Sequence, residues 1–473
     1  MENRILKLDN ARKTINYLKK NGPVNTLWAM AERVKAERED AYRYSAPAKE
    51  ELSGQREESK DWPYLFSIVT PAYETKEEHL REMIASVRAQ SYERWELIIV
   101  DAGESDAVER AVRQIILETG DLRIRYSRLS GNRGIAENTN AGIEQAKGNY
   151  IALLDHDDFI TPDALYYMAF YVRKAEQEGR APALLYSDED KYDEEAKTLV
   201  NAHKKQKFNL DLILSNNYIC HFLAVEAKLM KKLKLRGDYD GAQDYDLVLR
   251  VVDSLWQDGA LIPEVTRICH IPRVLYHWRS HPDSTASNTA SKTYAYEAGR
   301  RALADFCAGR GFAAQVEHSL HMGFYRIVYE PDLLSVRREV GVTGGRILDR
   351  RGRIFAGAYD ESGGCLFQGL PMHFTGGSTH KAVLVQDCAA VDIRCMRVRE
   401  ELWPLFRLVT GRAYRERNIR VGAGREKKEI RVADVTGLSC DEAGYRKLSM
   451  AFGEAVRSAG YLVVWDPALT VRM

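Results

Sequence analysis

Four short apolar runs alternate with four longer amphipathic stretches between Phe66 and Gln177, and few folds accept that order. FSIVT (66–70), WELIIVD (95–101), RIRYSRL (123–129) and YIALLD (150–155) read as strands. EEHLREMIASVRAQ (77–90), SDAVERAVRQIILETG (105–120), AENTNAGIEQAKG (136–148) and TPDALYYMAFYVRKAEQ (161–177) read as helices, the last with Thr161 as N-cap and Pro162 in its first turn. Such alternation implies an α/β domain built on a Rossmann-like, doubly wound, mainly parallel sheet. Ligands of such sheets bind beyond the C-terminal ends of the strands, near the point where strand order reverses. Those ends are polar here: Tyr73 and Glu74 follow the first strand, Asp101 ends the second, and Asp155 to Asp158 follow the fourth.

The last of these, DHDD, admits two readings. An acidic turn after a strand is common, because Asp hydrogen-bonds its own backbone. Carboxylates at i and i+2 of an extended end also converge on one hard cation, and Mg2+ or Mn2+ complete their shells with water and substrate phosphates. The position at a strand's C-terminal edge favours the second reading for Asp155 and Asp157; Asp158 reads as a turn or helix-entry residue. PAYE (71–74) follows the first strand without GxGxxG, which argues against an NAD-type fold, and no GxxxxGK[ST] occurs. SGNRGIAENTNAG (130–142) is a Gly-punctuated turn entering a helix; its backbone amides and Arg133 are suited to a diphosphate, and an ordinary turn is the other reading.

Past residue 180 the alternation weakens. GAQDYDLVLR (241–250) places Asp244 and Asp246 at the head of a helix, and LYHWRSHPDSTA (275–286) holds His277 and His281. The last third resembles a partial repeat of this half: 341–358 parallels the strand and turn at 183–197, 393–403 parallels 221–230, and 448–469 parallels 243–265. In that alignment Ser449 and Ala451 stand where Asp244 and Asp246 do, which implies a degenerate module; an unrelated α/β appendage is the alternative.

Lys and Arg (69) balance Asp and Glu (68), so no nucleic-acid partner is indicated. Seven scattered cysteines without a CxxC pair suggest neither a disulfide framework nor a zinc cluster, and fit a reducing compartment. The first residues lack an apolar secretory core and no run of 18 apolar residues occurs, so a cytoplasmic chain is expected. Ile5, Leu8, Ile15 and Leu18 share a helical face, NGPVN (21–25) breaks it, and Leu27, Met30 and Val34 resume it. Residues 1–36 carry eight Lys or Arg against three Asp or Glu. This arm either packs on its own domain or a second subunit, or makes peripheral contact with the inner face of the cell membrane.

Read in order, SIVTPAYET, SVRAQSYERWELIIVDAGESD, GNRGIAENTNAGIEQAKGNYIALLDHDD, GAQDYDLVLR and LYHWRSHPDSTA resemble the glycosyltransferase family 2 enzymes of GT-A fold, of the bacterial surface-polysaccharide type. The resemblance covers about 66 to 310 and implies a helical extension (1–62), a GT-A domain (63–315, with a nucleotide-sugar half to 180 and an acceptor half from 181) and a degenerate partial second module (316–473). It implies metal-dependent inverting transfer, with Mn2+ or Mg2+, from a nucleotide-diphosphate sugar (a UDP-sugar first) to a glycan or lipid-linked glycan. Carried over, Thr70, Pro71, Tyr73 and Glu74 line the nucleoside site, Asp101 faces base or ribose, and Arg133, Asn138 and His156 lie near the nucleotide. Asp155 and Asp157 are the DxD pair, His277 assists with metal or diphosphate, and Asp244 is the general base. The chain departs from the family in carrying Ala102 where a second aspartate is frequent, and in lacking QxxRW after the base, which favours single addition over processive synthesis. A non-catalytic sugar-nucleotide or glycan-binding scaffold is the alternative reading.

Overall fold

The computed structural model describes residues 8–39, 42–257, 260, 262–280, 293–421 and 428–472. Ile5 of the expected N-terminal stripe and His281 with the rest of HPDSTA fall outside them. The chain forms two compact units, Tyr42–Phe208 with Asn217–Gly311, and Met1–Ala41 with Asn209–Asn216 and Phe312–Met473.

In the first unit the expected strands appear as β1 (Phe66–Ala72), β2 (Trp95–Asp101), β3 (Ile124–Arg128) and β4 (Tyr150–Leu153). The expected helices span Glu77–Arg88, Ala107–Thr119, Ile135–Gln145 and Ala164–Gln177. The rest of the sheet is β5 (Phe159–Ile160), β6 (Leu184–Asp193), β7 (Thr198–His203), β8 (Leu223–Glu226) and β9 (Ile268–Ser280), in the order β3-β2-β1-β4-β8-β6-β9-β5 with β7 on β6. β1 to β4 run parallel, and β2 is buried at every position, as expected of strands covered by helices on both faces. Order reverses at β1: β2 and β3 lie on one side of it and β4 on the other, so the crevice opens beyond the ends of β1 and β4. The helix Ile135–Gln145 reaches the sheet because Gly142 has no side chain; a Cβ there would stand 2.5 Å from Cγ1 of Val69.

One expected cap moves. The helix after β5 begins at Ala164 behind Asp163, not Thr161. Thr161 is held in the sheet instead, its N–H donating to the Leu275 carbonyl and its hydroxyl to Asp163, so Pro162 precedes the helix.

In the second unit the strand Val340–Leu348 is paired antiparallel by Ile354–Ala356 and by Met396–Val398, and parallel by Leu462–Arg472. β6 has the same three kinds of neighbour in β7, β8 and β9. The helix Glu442–Ser458 precedes its last strand as Gln243–Ser254 precedes β9. The two strands thus share one pattern of pairing. Ser449 is buried inside its helix, where its hydroxyl donates to the Tyr445 carbonyl and accepts from the Ile393 N–H.

The arm helix Leu8–Glu39 breaks at Gly22 (φ 76°), before Pro23, where the sequence breaks its pattern. It packs on its own unit. Trp28 stacks on His373 with ring centres 5.3 Å apart, and the Glu32 carboxylate accepts from the backbone N–H groups of Thr375, Gly376 and Gly377. Ile15, Leu18, Leu27, Met30 and Val34 remain exposed.

Candidate active site

The turn after β4 is pinned from below. Asp158 is 1% exposed; its carboxylate accepts from the Tyr276 hydroxyl and, at 2.7 Å, from the Arg279 backbone N–H. Burial, then repulsion from Asp157 and Asp155, pushes its pKa well above the usual carboxylate range. The Arg279 guanidinium donates to the Asp157 carbonyl and pairs with Glu82. Asp158 is thus an anchor, and Asp158→Ala is expected to lower unfolding stability by about 1–3 kcal/mol, because the Tyr276 and Arg279 donors lose their buried partner; urea titration measures it.

With the turn fixed, Asp155 and Asp157 stand at the crevice, the Asp155 side chain 44% exposed. Burial among protein atoms raises the Asp155 pKa, with repulsion from Asp157 and Asp244 in the same direction and attraction to His221 and His156 opposing. His156 is half-buried, and its Nδ1 has no partner among the described residues.

β8 runs antiparallel to β4 with Leu153 opposite Leu223, so two residues further on His221 comes opposite Asp155. Its Nε2 lies 3.9 Å from Asp155 Oδ2, its Nδ1 3.3 Å from Glu189 Oε2, and its ring stacks on Tyr276. Burial alone pulls the His221 pKa down; Glu189, Asp155 and Asp158 outweigh it and raise the value to about 9. Glu189 is itself buried, with Lys205 Nζ 3.7 Å and His203 Nδ1 3.2 Å away.

Asp244 lies in the first turn of the helix Gln243–Ser254. Its Oδ1 accepts from the Tyr245 N–H at 2.8 Å and its Oδ2 from the Asn217 side-chain amide at 3.0 Å. The Cys220 thiol lies against it, its pKa pushed well up by burial first and then by Asp244. Asp246 is 1% exposed and forked by Arg236 and Arg250, which makes it structural.

On the nucleoside side, Thr70 is buried with no partner for its hydroxyl among the described residues, Pro71 is half-buried, and Tyr73 is exposed at the end of β1. Glu74 ties this end to the loop after β2, accepting from the N–H groups of Glu104 and Ser105 and from the Ser105 hydroxyl. Those bonds, the Ser105 backbone foremost, lower its pKa. Arg133 is exposed; Asn138 is buried and accepts from the Arg133 N–H while donating to Asn132.

Three expectations need correction. His277 does not join the Asp155 cluster: Tyr276 and Trp278 face His221, so strand alternation turns His277 to the other face, where Nδ1 meets Asp190 Oδ1 at 2.6 Å and the ring lies on Phe159 and Tyr44. Asp101 has no exposed surface to offer a base or ribose; it accepts from the Gly103 N–H and the Tyr126 hydroxyl and so fixes the loop. At the helix start after Gly134, Asp240 accepts from the Ala136 N–H at 3.0 Å, and Asn138 and Asn132 accept from the Arg133 and Gly134 N–H groups, so these three amides do not await a diphosphate. Sequence reading missed His221, Glu189, Asp240 and Asn217; each acts through a partner far along the chain.

Among the described residues no three His, Cys, Asp or Glu side chains are grouped to hold a metal ion. Two adjacent carboxylates, one half-exposed, still fit a hard divalent ion that takes its remaining ligands from water and phosphate. No helix among the described residues is long and apolar enough to cross a membrane.

Residues 67–234 match the family model described as Glycosyl transferase family 2. Over 246 residues the chain is 40% identical to the uncharacterized protein y4gI of Sinorhizobium fredii (strain NBRC 101917 / NGR234), covering 52% of this chain and 25% of that one. It is 33% identical over 255 residues to the O-antigen biosynthesis protein RfbC of Myxococcus xanthus, covering 53% of this chain and 19% of that one. The chain therefore spans a quarter or less of the length of these relatives. Among solved structures, S. aureus TarS 1–349 in complex with UDP aligns with a TM-score of 0.38 at 17% identity, over 51% of this chain and 65% of that one.

Proposed function

We propose that this chain, whose residues 67–234 match the Glycosyl transferase family 2 model, is a glycosyltransferase of GT-A fold that moves one sugar from a nucleotide-diphosphate donor to a glycan or lipid-linked glycan in bacterial surface-polysaccharide synthesis. The observation that carries the reading is the gathering of Asp155 and Asp157 with Asp244, close enough for Asp244 to repel Asp155. The name of RfbC supports the polysaccharide setting.

Asp155 and Asp157 would hold Mn2+ or Mg2+. Such an ion acts as a Lewis acid for the charge that develops on the departing diphosphate. Asp244 takes the proton from the acceptor hydroxyl as that oxygen attacks the anomeric carbon. Attack from the side opposite the diphosphate inverts the configuration. Pro71 and Tyr73 border the nucleoside, with Thr70 buried behind them and Glu74 and Asp101 holding the loops around it.

Incubating the purified chain with Mn2+ or Mg2+ and a panel of nucleotide-diphosphate sugars, UDP-sugars first, tests the reading by nucleotide release. Turnover by the wild type and its loss in Asp157→Ala and Asp244→Ala are expected. Donor binding without turnover under any condition would leave the scaffold reading in its place.

The same reading puts the chain in the cytoplasm, on the inner face of the membrane where a lipid-linked acceptor lies. The exposed side chains of Ile15, Leu18, Leu27, Met30 and Val34, in a segment with eight Lys or Arg against three acidic residues, support it. Sedimentation with vesicles rich in phosphatidylglycerol is expected for the wild type. Leu27→Glu with Met30→Glu is expected to weaken it at least about tenfold, since each substitution removes apolar burial of roughly 1.5–3 kcal/mol. Equal sedimentation of both proteins would overturn the membrane contact.

A further inference from the structure

Asp244 cannot act as a base unless its carboxylate is held toward the acceptor, and the helix supplies only half of that restraint. One oxygen accepts from the Tyr245 N–H of the same turn. The other accepts from Nδ2 of Asn217, a residue 27 positions earlier. Asn217 is held in place from its C-terminal side. Tyr218 and Ile219 are buried to 1% and 0% exposure, the Tyr218 ring meets Tyr186 edge-on, and the Ile219 carbonyl accepts from the buried Lys205 ammonium at 2.8 Å.

Stability does not explain this arrangement. The Asn217 Oδ1 is buried and has no hydrogen-bond partner among the described residues. The cost of a buried unpaired oxygen is of the same size as the return from a hydrogen bond to a carboxylate, so the amide adds little net stability. The bond does, however, choose which face of the amide meets Asp244 and which rotamer the carboxylate keeps.

We propose that Asn217 is a positioning residue for Asp244, fixing the orientation of the carboxylate that receives the acceptor's proton. The proposal rests on Asp244 being the base. Asn217 itself touches neither donor nor acceptor. Its effect runs through Asp244 alone, so its loss has no consequence where Asp244 has already been removed.

A double-mutant cycle on the full chain tests this, with kcat, the dissociation constant for a nucleoside diphosphate with Mn2+, and melting temperature measured for each protein. Asn217→Ala is expected to lower kcat roughly 10–100-fold, the scale of a misplaced reacting group, with diphosphate affinity and melting temperature unchanged or the latter raised. In an Asp244→Ala background the same substitution should change the residual rate less than about twofold. Additive losses, or a fall in diphosphate affinity that accounts for the lost rate, would overturn the proposal while leaving Asp244 as the base. Full activity in Asp244→Ala would overturn the assignment of the base itself. A large fall in melting temperature for Asn217→Ala would show that the amide is held for stability and would also overturn the proposal.

Discussion

Asp157→Ala is expected to lower sugar transfer by about 10²–10³-fold, the scale of removing one group that stabilises developing charge. The fold should survive. The backbone of Asp157 is held by Arg279, and the turn is anchored through Asp158 to Tyr276 and Arg279, none of which needs the Asp157 side chain. What goes is one of two carboxylates that together suit a hard divalent ion. Titration of the protein with Mn2+ in the presence of a nucleoside diphosphate should show the loss directly, apart from any assay of transfer. Asp155→Ala should act in the same direction and also relieve the like-charge repulsion it shares with Asp157 and Asp244. Unimpaired transfer by Asp157→Ala, at saturating donor and without added metal, would remove the carboxylate pair from the mechanism.

The first half of the sheet-bearing unit Tyr42–Phe208 with Asn217–Gly311 was legible because its signals are local. β1 to β4 and the helices among them each follow from a period of apolar residues, and their order implies the switch point beside β1. Thr161 shows the limit. Thr-Pro ahead of an apolar stretch resembles a helix start, but the Leu275 carbonyl claims the Thr161 N–H and shifts the cap to Asp163. The tertiary contact outweighs the local preference.

Site residues divided along the same line. Asp155, Asp157 and Asp244 carry their own signal, as acidic groups at a strand end and a helix start. His277 and His221 could not be told apart in this way. Which of them faces Asp155 depends on the parity of β9 and on the register of β8 against β4, and a one-residue slip in either reverses the answer. The Asp240 contact at the helix after Gly134 spans 104 residues, and no window of sequence contains both ends. In the second unit the sequence offers only an order of segments; the pairing of Val340–Leu348, with two antiparallel neighbours and one parallel, depends on contacts far along the chain.

Asp244→Ala is expected to lower kcat by about 10²–10⁴-fold, the contribution of a positioned general base. Donor affinity should hold, since the donor-side carboxylates stay in place. That split separates it from Asp157→Ala, which should weaken metal and diphosphate binding as well. Asp246, two residues away, provides the control for helix disruption: it is forked by Arg236 and Arg250, so its replacement should unfold the region rather than slow the reaction selectively. Asp244 has no such cationic clamp; its partners are a backbone N–H, the Asn217 amide and the Cys220 thiol. Those neutral donors orient a carboxylate and leave it free to accept a proton, which an arginine fork would oppose. Equal kcat in Asp244→Ala and wild type, with acceptor saturating, would require another base for the acceptor hydroxyl.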